Sequence, residues 1–173
     1  VRQDREGRRA HRNDMDNLPA ISLAELRTKV GHELGLSEWR AVSQDMINRF
    51  ADATDDHQFL HVDPVRAAKE GPFGGTIAHG FLTVSLLSTL AYEALPMIEG
   101  ATMGINYGFD KLRFMSPVKA GARVRARFKL ADLDIRPSGR VMNTYEVALE
   151  VEGLIKPAFT ATWLTIAMVP PQD

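Results

Sequence analysis

The chain has 173 residues, 45% of them hydrophobic, which suffices for one domain with a substantial core. A formal net charge of -1 gives no overall attraction to nucleic acid or to a membrane surface, and the absence of cysteine excludes disulfides, thiolate catalysis and cysteine-ligated zinc. The longest apolar run, 81–91, is shorter than the about 20 residues that a membrane span needs. We therefore expect a cytoplasmic protein without nucleic-acid or membrane partners.

The first 14 residues are rich in charge and poor in apolar side chains. Five arginines and three acidic residues stand there, and Val1 is the single large apolar residue. Such a segment cannot bury enough surface to fold by itself. We predict a disordered N-terminal extension over residues 1–17 and a single domain over residues 18–173. A phosphate- or nucleic-acid-binding arm is the alternative role for the arginines.

Two serine caps mark the first predicted helices. Ser22, followed by Glu25, forms a capping-box pattern before a short helix that ends near Gly31. The alternation of apolar and polar residues over 38–42 then predicts a strand. Apolar residues recur on one helical face after Ser43, which predicts a second helix. Ser43 itself is the predicted N-cap of that helix.

A polar loop around Asp56 follows, and Pro64 begins another short helix, which the glycine-rich run 71–75 ends. Over 79–95 nearly every side of the predicted helix is apolar, which indicates a buried central helix. Four long strand-like segments come next, namely 103–115, 123–133, 141–151 and 158–168. One buried helix and an antiparallel sheet make an α+β fold.

Asp56 and His61 are the first candidate catalytic residues, five positions apart in the predicted loop. A carboxylate and an imidazole can hold one water molecule and move its protons, and histidine side chains titrate near neutral pH. The alternative is ordinary loop chemistry, in which Asp56 caps backbone amides and His61 packs in the interior.

His79 and Gly80 stand at the start of the predicted central helix. Amides at a helix N-terminus have no partner within the helix, and glycine lets a substrate oxygen approach without a clash with a Cβ atom. An oxygen that gains negative charge would be stabilised there. The alternative is that Gly80 only permits close packing and that His79 fills space.

A metal site is the rival interpretation of the same region. His57 and His61 are four residues apart, and Asp55, Asp56 and His79 could complete a ligand set. A loop does not ensure the geometry of a helical zinc motif, so we expect no metal here.

Lys111 and Arg113 lie on the first long predicted strand. They are candidates for contacts with the phosphates of a ligand. The alternative is that they form a solvated face.

The loop and the helix start together carry the pattern Asp56-x4-His61-x-Asp63-Pro64, then Pro72-Phe73-Gly74-x-x-Ile77-Ala78-His79-Gly80-Phe81. The first long strand adds Asn106-Tyr107-Gly108-x-x-Lys111-x-Arg113-Phe114-x-x-Pro117-Val118-x-x-Gly121. These motifs resemble the MaoC-like (R)-specific enoyl-CoA hydratases, and the His-Gln pair after the aspartate is similar to the NodN-like and mycobacterial branch. The resemblance covers about residues 37–168.

The resemblance implies a hot-dog fold, in which a curved antiparallel sheet wraps a long central helix, and it implies a homodimer. In that family the aspartate and the histidine activate water and the glycine amide binds the thioester carbonyl, which carries over to Asp56, His61 and Gly80. The supporting residues would be Gln58, His79 and Ser88. No metal or redox cofactor is implied, because CoA is part of the substrate.

The loop departs from the commoner hydratase pattern Gly-Asp-x-Asn-Pro-x-His at three positions. Asp55 replaces the glycine, Gln58 the asparagine and Phe59 the proline. Aspartate tolerates left-handed backbone angles better than most residues, so we expect the loop to keep its shape.

With this resemblance, the sequence predicts a hydro-lyase of fatty acid metabolism, an (R)-specific enoyl-CoA hydratase that adds water reversibly to a trans-2-enoyl-CoA. In this interpretation Lys111 and Arg113 contact the CoA phosphates. One alternative is a dehydratase or accessory subunit that acts on carrier-protein thioesters. The other is a non-catalytic hot-dog protein that binds acyl ligands.

Overall fold

The computed structural model describes residues 19–171, so the predicted N-terminal extension lies outside the described residues. The helices are α1 Leu23–Thr28, α2 Gln44–Thr54, α3 Phe59–Val62, α4 Pro64–Glu70, α5 Gly80–Ser85 and α6 Leu87–Ala94. The strands are β1 Ala20–Ile21, β2 Glu33–Leu36, β3 Arg40–Ala41, β4 Met97–Ile98, β5 Met103–Phe114, β6 Arg123–Ile135, β7 Arg140–Val151 and β8 Phe159–Met168. Between residues 19 and 171, none of the helices has the length and apolar character that crossing a bilayer requires.

The two serine caps form as predicted. The Ser22 hydroxyl accepts a hydrogen bond from the Glu25 amide, and the Ser43 hydroxyl accepts one from the Met46 amide at 3.1 Å. Both hydroxyls satisfy amides that have no partner within their own helix. Helix α2 thereby starts at Gln44 and carries the chain to the Asp56 loop.

The four long predicted strands form one antiparallel sheet. Its order is β2-β6-β7-β8-β5, and β3 also pairs with β6. The strands β1, β2 and β4 were not predicted, because elements of two to four residues are too short to show a periodicity of two. β5 forms one edge of the sheet, and that position exposes it to the surroundings.

One face of the sheet packs against the central helix, and the other carries charge. Phe128, Leu130 and Tyr145 belong to the same buried cluster as Leu87 and Leu90 of the helix. On the opposite face, the basic residues of β6 pair with glutamates, at Arg123–Glu152, Arg125–Glu150, Arg127–Glu33 and Lys129–Glu146. This division follows from the alternation of side chains along each strand.

The central helix differs from its prediction in two respects. Leu86 divides it into α5 and α6, although the Leu90 amide still bonds to the Leu86 oxygen at 3.0 Å. Leu82 is buried, whereas Phe81 and Tyr92 are 69% and 49% exposed. The helix is central, as predicted, but its apolar sides at Phe81 and Tyr92 stay exposed in the single chain, because apolar composition does not tell which partner covers each face.

Candidate active site

Asp56 stands directly after α2, on a left-handed turn. Asp55 has a φ of 59°, the conformation that its tolerance of left-handed angles allows. The Asp56 side chain is 56% exposed, and its Oδ1 lies 3.5 Å from the Gln58 amide nitrogen, at the limit of a hydrogen bond. The Asp56 carboxylate thus caps a backbone amide only through this long contact, and it stays available for other partners.

His61 lies on the one-turn helix α3 rather than in an irregular loop. Its side chain is buried, and Nδ1 lies 2.7 Å from the backbone oxygen of Ile77. A carbonyl oxygen only accepts hydrogen bonds, so Nδ1 carries the proton of the neutral ring and Nε2 keeps its lone pair. His61 therefore offers a proton acceptor whose direction is set by the Ile77 carbonyl.

His79 links the loop to the start of the central helix. Its Nε2 donates a hydrogen bond to the backbone oxygen of Asp56 at 2.9 Å, and its ring stacks on that of His61 with centroids 3.8 Å apart. The side chain is only 3% exposed. Two motifs that are 18 residues apart at His61 and His79 in the sequence thus meet in one place, and His79 does more than fill space.

Asp56, His61 and His79 form a compact group. A carboxylate oxygen of Asp56 and one ring nitrogen of each histidine lie within 4.8 Å of one another. Nε2 of His79 lies 3.9 Å from the Asp56 carboxylate and donates to the Asp56 backbone oxygen. Nδ1 of His61 donates to the backbone oxygen of Ile77. A protein zinc site uses three or four ligands. Each ring keeps one nitrogen that does not donate, Nε2 of His61 and Nδ1 of His79, so the group can hold either a water molecule or a metal ion. His57 lies apart, beside Asp52 and Asp55.

Gly80 is the first residue of α5, where the amide has no carbonyl partner in the helix. A Cβ atom at this position would come 2.8 Å from Cζ of Phe114, so a ring from β5 covers the glycine. The packing interpretation of Gly80 thus has a definite partner. The amide and the packing are both properties of this site, and a substitution affects each of them.

Two of the predicted supporting residues lie outside this group. Gln58 is exposed, and its side chain does not cap α3. Ser88 stands eight residues after Gly80, about 12 Å along a helix. Its Oγ accepts a hydrogen bond from Nδ2 of Asn106 at 3.0 Å. Ser88 therefore belongs to a different part of the structure, between the helix and the edge strand.

A cavity of about 330 Å³ lies beside Ser88 and Asn106, between α6 and the strands β5 and β8. Its lining is mostly apolar and includes Ala91, Leu95, Ile98, Trp163 and Ile166, with the polar residues Ser88, Asn106 and Tyr145. Burial raises the pKa of the Tyr145 phenol well above its usual range, so the phenol stays protonated at neutral pH. The sequence shows no sign of this cavity, because separate segments of the chain supply its walls.

Lys111 and Arg113 lie on the edge strand β5 and are exposed. Phe114 packs on Gly80, and successive side chains of a strand point to opposite faces, so Arg113 points to the outer face of the sheet. Neither cation has an ion pair with a residue in 19–171, in contrast to the four basic residues of β6. In residues 19–171, no hydrogen bond or ion pair joins either cation to Asp56 or His61.

Gln44 and Thr76 contact the Asp56–His61–His79 group, although no sequence motif marks them. Nε2 of Gln44 donates to the backbone oxygen of His61 at 2.6 Å, and the Thr76 hydroxyl donates to Oε1 of Gln44 at 2.5 Å. The two bonds span 17 and 32 residues of sequence. No local pattern marks such contacts, because they depend on how α2, α3 and the segment before α5 pack together.

Comparison with known proteins gives a consistent result. A protein-family model described as "MaoC like domain" matches residues 25–152. The chain is 55% identical over 153 residues to Nodulation protein N of Rhizobium leguminosarum bv. viciae, which covers 88% of this chain and 95% of that protein. It is 46% identical over 140 residues to 3-hydroxyacyl-thioester dehydratase Z of Mycobacterium tuberculosis, which covers 81% of this chain and 91% of that protein.

Solved structures agree with these relatives. An (R)-hydratase from A. caviae, described as involved in PHA biosynthesis, superposes with a TM-score of 0.62 at 26% identity. The match covers 82% of this chain and 96% of that chain. The predicted α+β hot-dog fold is confirmed, as is the resemblance to the NodN-like and mycobacterial branch.

Proposed function

The chain belongs to the MaoC-like dehydratase family, and from this premise we propose that it is an (R)-specific enoyl-CoA hydratase, which adds water reversibly to a trans-2-enoyl-CoA. The observation that carries the proposal is the grouping of the Asp56 carboxylate with the His61 imidazole, whose Nε2 keeps its lone pair. The names of the relatives, a 3-hydroxyacyl-thioester dehydratase and an (R)-hydratase, describe the two directions of such a reaction.

The geometry supports a mechanism that uses one water molecule. Its two O–H bonds would donate to the Asp56 carboxylate and to Nε2 of His61, which leaves an oxygen lone pair for C3 of the substrate. As the oxygen bonds to C3, one proton passes to the pair, and the C2=C3 electrons move towards the thioester oxygen. The Gly80 amide would stabilise that oxygen. A proton from the pair then returns to C2 and completes the 3-hydroxyacyl thioester.

This reaction requires no electron transfer, so we propose that the protein uses no redox cofactor and no metal, with CoA as part of the substrate. The acid–base pair supplies the proton transfers, so no step of the proposed mechanism needs an ion.

The direct test follows the loss of enoyl-thioester absorbance when purified protein is mixed with crotonyl-CoA, with chiral analysis of the product. We expect (R)-3-hydroxybutyryl-CoA, at a rate that prior treatment with EDTA does not change. An (S) product contradicts the stereochemical proposal. Turnover of carrier-protein thioesters alone supports the carrier alternative, and thioester binding without any turnover supports the non-catalytic one.

We propose that the apolar cavity along α6 binds the acyl chain of the substrate. Its near end, at Ser88, is about 12 Å along the helix from Gly80, so a four-carbon acyl group held at Gly80 would not reach it. In this proposal longer chains bury more apolar surface there. The same absorbance assay, repeated with enoyl-CoA substrates from four to twelve carbons, should therefore show kcat/KM rising with length before it falls.

The exposed cations Lys111 and Arg113 support a contact with the phosphates of CoA. A CoA that leaves the site past Phe114 would cross the edge strand that carries them. We expect Arg113→Ala to raise KM for crotonyl-CoA severalfold, with little change in kcat, because a phosphate contact far from C3 contributes to binding alone. Steady-state kinetics measure both constants.

Two comparisons control this prediction. KM for a phosphate-free crotonyl-pantetheine should not change in Arg113→Ala. Arg136→Ala removes another exposed arginine, at the end of β6, and should leave KM for crotonyl-CoA unchanged. If Arg113→Ala binds crotonyl-CoA as well as the unmodified protein does, the phosphate contact is wrong.

The exposed edge strand β5 supports a homodimer. Its outer edge pairs with no other strand in residues 19–171. Met103, Ile105, Tyr107 and Phe109 are exposed along it. An edge with free backbone groups and apolar side chains is suited to pairing with a second copy. Such pairing would also bring a partner close to the exposed sides of Phe81 and Tyr92.

We expect Ile105→Lys to convert the dimer into a monomer, because the lysine places a charge in the proposed interface. Analytical ultracentrifugation measures the change in mass. Ile155→Lys provides the matched control, since Ile155 is fully exposed on the turn between β7 and β8, at the opposite end of β5 from Ile105. Dissociation by the control and not by Ile105→Lys would place the interface elsewhere.

A further inference from the structure

Both polar atoms of the Gln44 side-chain amide have hydrogen-bond partners. One Nε2 hydrogen bond goes to the backbone oxygen of His61 at 2.6 Å, and another goes to Oδ1 of Asn48 at 2.8 Å. Oε1 accepts from the hydroxyl of Thr76 at 2.5 Å. A glutamine amide has two N–H donors and one carbonyl oxygen, so this side chain is fixed in orientation. It stands at the first position of α2, where the helix is anchored by the Ser43 cap.

The two segments that Gln44 joins are the ones that orient the His61 ring. The Leu60 carbonyl accepts from the Ile77 amide at 3.0 Å, and the Ile77 carbonyl receives the His61 Nδ1 hydrogen bond at 2.7 Å. Thr76, which directly precedes Ile77, is only 6% exposed. One side chain therefore holds the backbone of His61 and, through Thr76, the segment that carries the acceptor of its ring proton.

We propose that Gln44 and Thr76 are positioning residues that keep the His61 imidazole directed at the Ile77 carbonyl, so that Nε2 presents its lone pair to the water. The proposal rests on the proposed hydratase function, in which that lone pair accepts a proton. Without the Gln44 bridge, the hydrogen bonds described here that still join α3 to the segment before α5 are the Leu60–Ile77 backbone bond and the His61 ring bond itself, so α3 can shift further than before. The ring then loses its fixed acceptor, and its second tautomer, with the proton on Nε2, becomes populated.

Two substitutions break the bridge at different bonds. Thr76→Val keeps the branched shape and removes the hydroxyl that donates to Gln44. Gln44→Met keeps an unbranched side chain of similar length and removes the bond to His61 as well. Because small displacements of a catalytic group lower rates by about 10²-fold, we expect kcat to fall about 10- to 100-fold in each variant, with KM changed less than about twofold. Crotonyl-CoA hydration measures both constants.

Matched controls separate positioning from general damage. Thr76→Ser restores a hydroxyl and should recover most of kcat. Asn48→Ala removes the third partner of Gln44, which does not touch His61, and should leave kcat unchanged. Thermal unfolding of every variant shows whether the protein remains folded at the assay temperature. A loss of kcat in Asn48→Ala equal to that in Thr76→Val would overturn the proposal, because any disturbance of Gln44 would then suffice.

A readout that does not need catalysis decides the same question. In 15N-labelled protein, the imidazole nitrogen shifts report which nitrogen of His61 carries the proton. We expect a ring with the proton on Nδ1 in the unmodified protein and in Asn48→Ala, and a mixture of tautomers in Gln44→Met and Thr76→Val. Unchanged shifts in both bridge variants overturn the positioning role. If the unmodified protein hydrates no thioester, the proposed function fails, whereas the shifts still decide the role of Gln44 and Thr76.

Discussion

Replacing Asp56 by asparagine, or His61 by glutamine, is expected to lower hydration of an enoyl thioester about 10²–10⁴-fold, the range typical of a general acid–base group. Each change removes one of the two groups that can take a proton from the proposed water, because an amide oxygen accepts a hydrogen bond but is not a base near neutral pH. The double variant should be little slower than either single variant, because the two residues act on one water as a unit. Initial rates with crotonyl-CoA, at saturating and at low concentration, measure the effect.

The structure also shows how to separate a catalytic loss from unfolding. Asp56 is more than half exposed, so asparagine should leave stability unchanged. His61 is buried and stacks on His79, so its replacement is expected to lower the melting temperature as well. His57→Ala is the matched control, because this histidine lies in the same loop but is exposed and stands outside the group. Near-normal turnover in Asp56→Asn would contradict the assignment of the pair.

Replacing Gly80 by valine is expected to depress turnover about 10²–10³-fold, as the loss of one oxyanion donor does, or by about 3–4 kcal/mol of transition-state stabilisation. The side chain would press on the Phe114 ring and crowd the approach of the thioester oxygen to the first amide of α5. Turnover and thermal unfolding are measured together. A folded Gly80→Val protein with ordinary hydratase rates would remove the oxyanion role.

A variant of Phe114 can separate the packing role of Gly80 from its oxyanion role, because the Phe114 ring occupies the space that a Cβ atom at Gly80 needs. Phe114→Leu shortens that side chain and relieves the clash. If glycine serves only the packing against Phe114, the double variant Gly80→Ala/Phe114→Leu should be as active as Phe114→Leu alone. If the Cβ atom obstructs the substrate, the double variant should stay slower than Phe114→Leu while its melting temperature is the same.

Much of the fold and part of the site follow from the sequence. Ser22 and Ser43 cap their helices as predicted, and the four long strands appear within a few residues of their predicted bounds. The motif around Asp56 and His61 identified the group that the structure brings together. These features are local, since a cap, a turn or an alternating strand depends on neighbouring residues whose spacing is visible in the chain.

Only the tertiary structure decided how the separate segments meet. The His61–His79 stack, the Gln44 bridge to Thr76 and the cover of Gly80 by Phe114 each join distant parts of the chain. Such contacts depend on the relative packing of helices and strands, and hydrophobic periodicity determines which face is buried without determining what lies opposite it. For the same reason the sequence placed the central helix inside the fold but did not show that one of its sides, at Phe81 and Tyr92, remains exposed in the single chain.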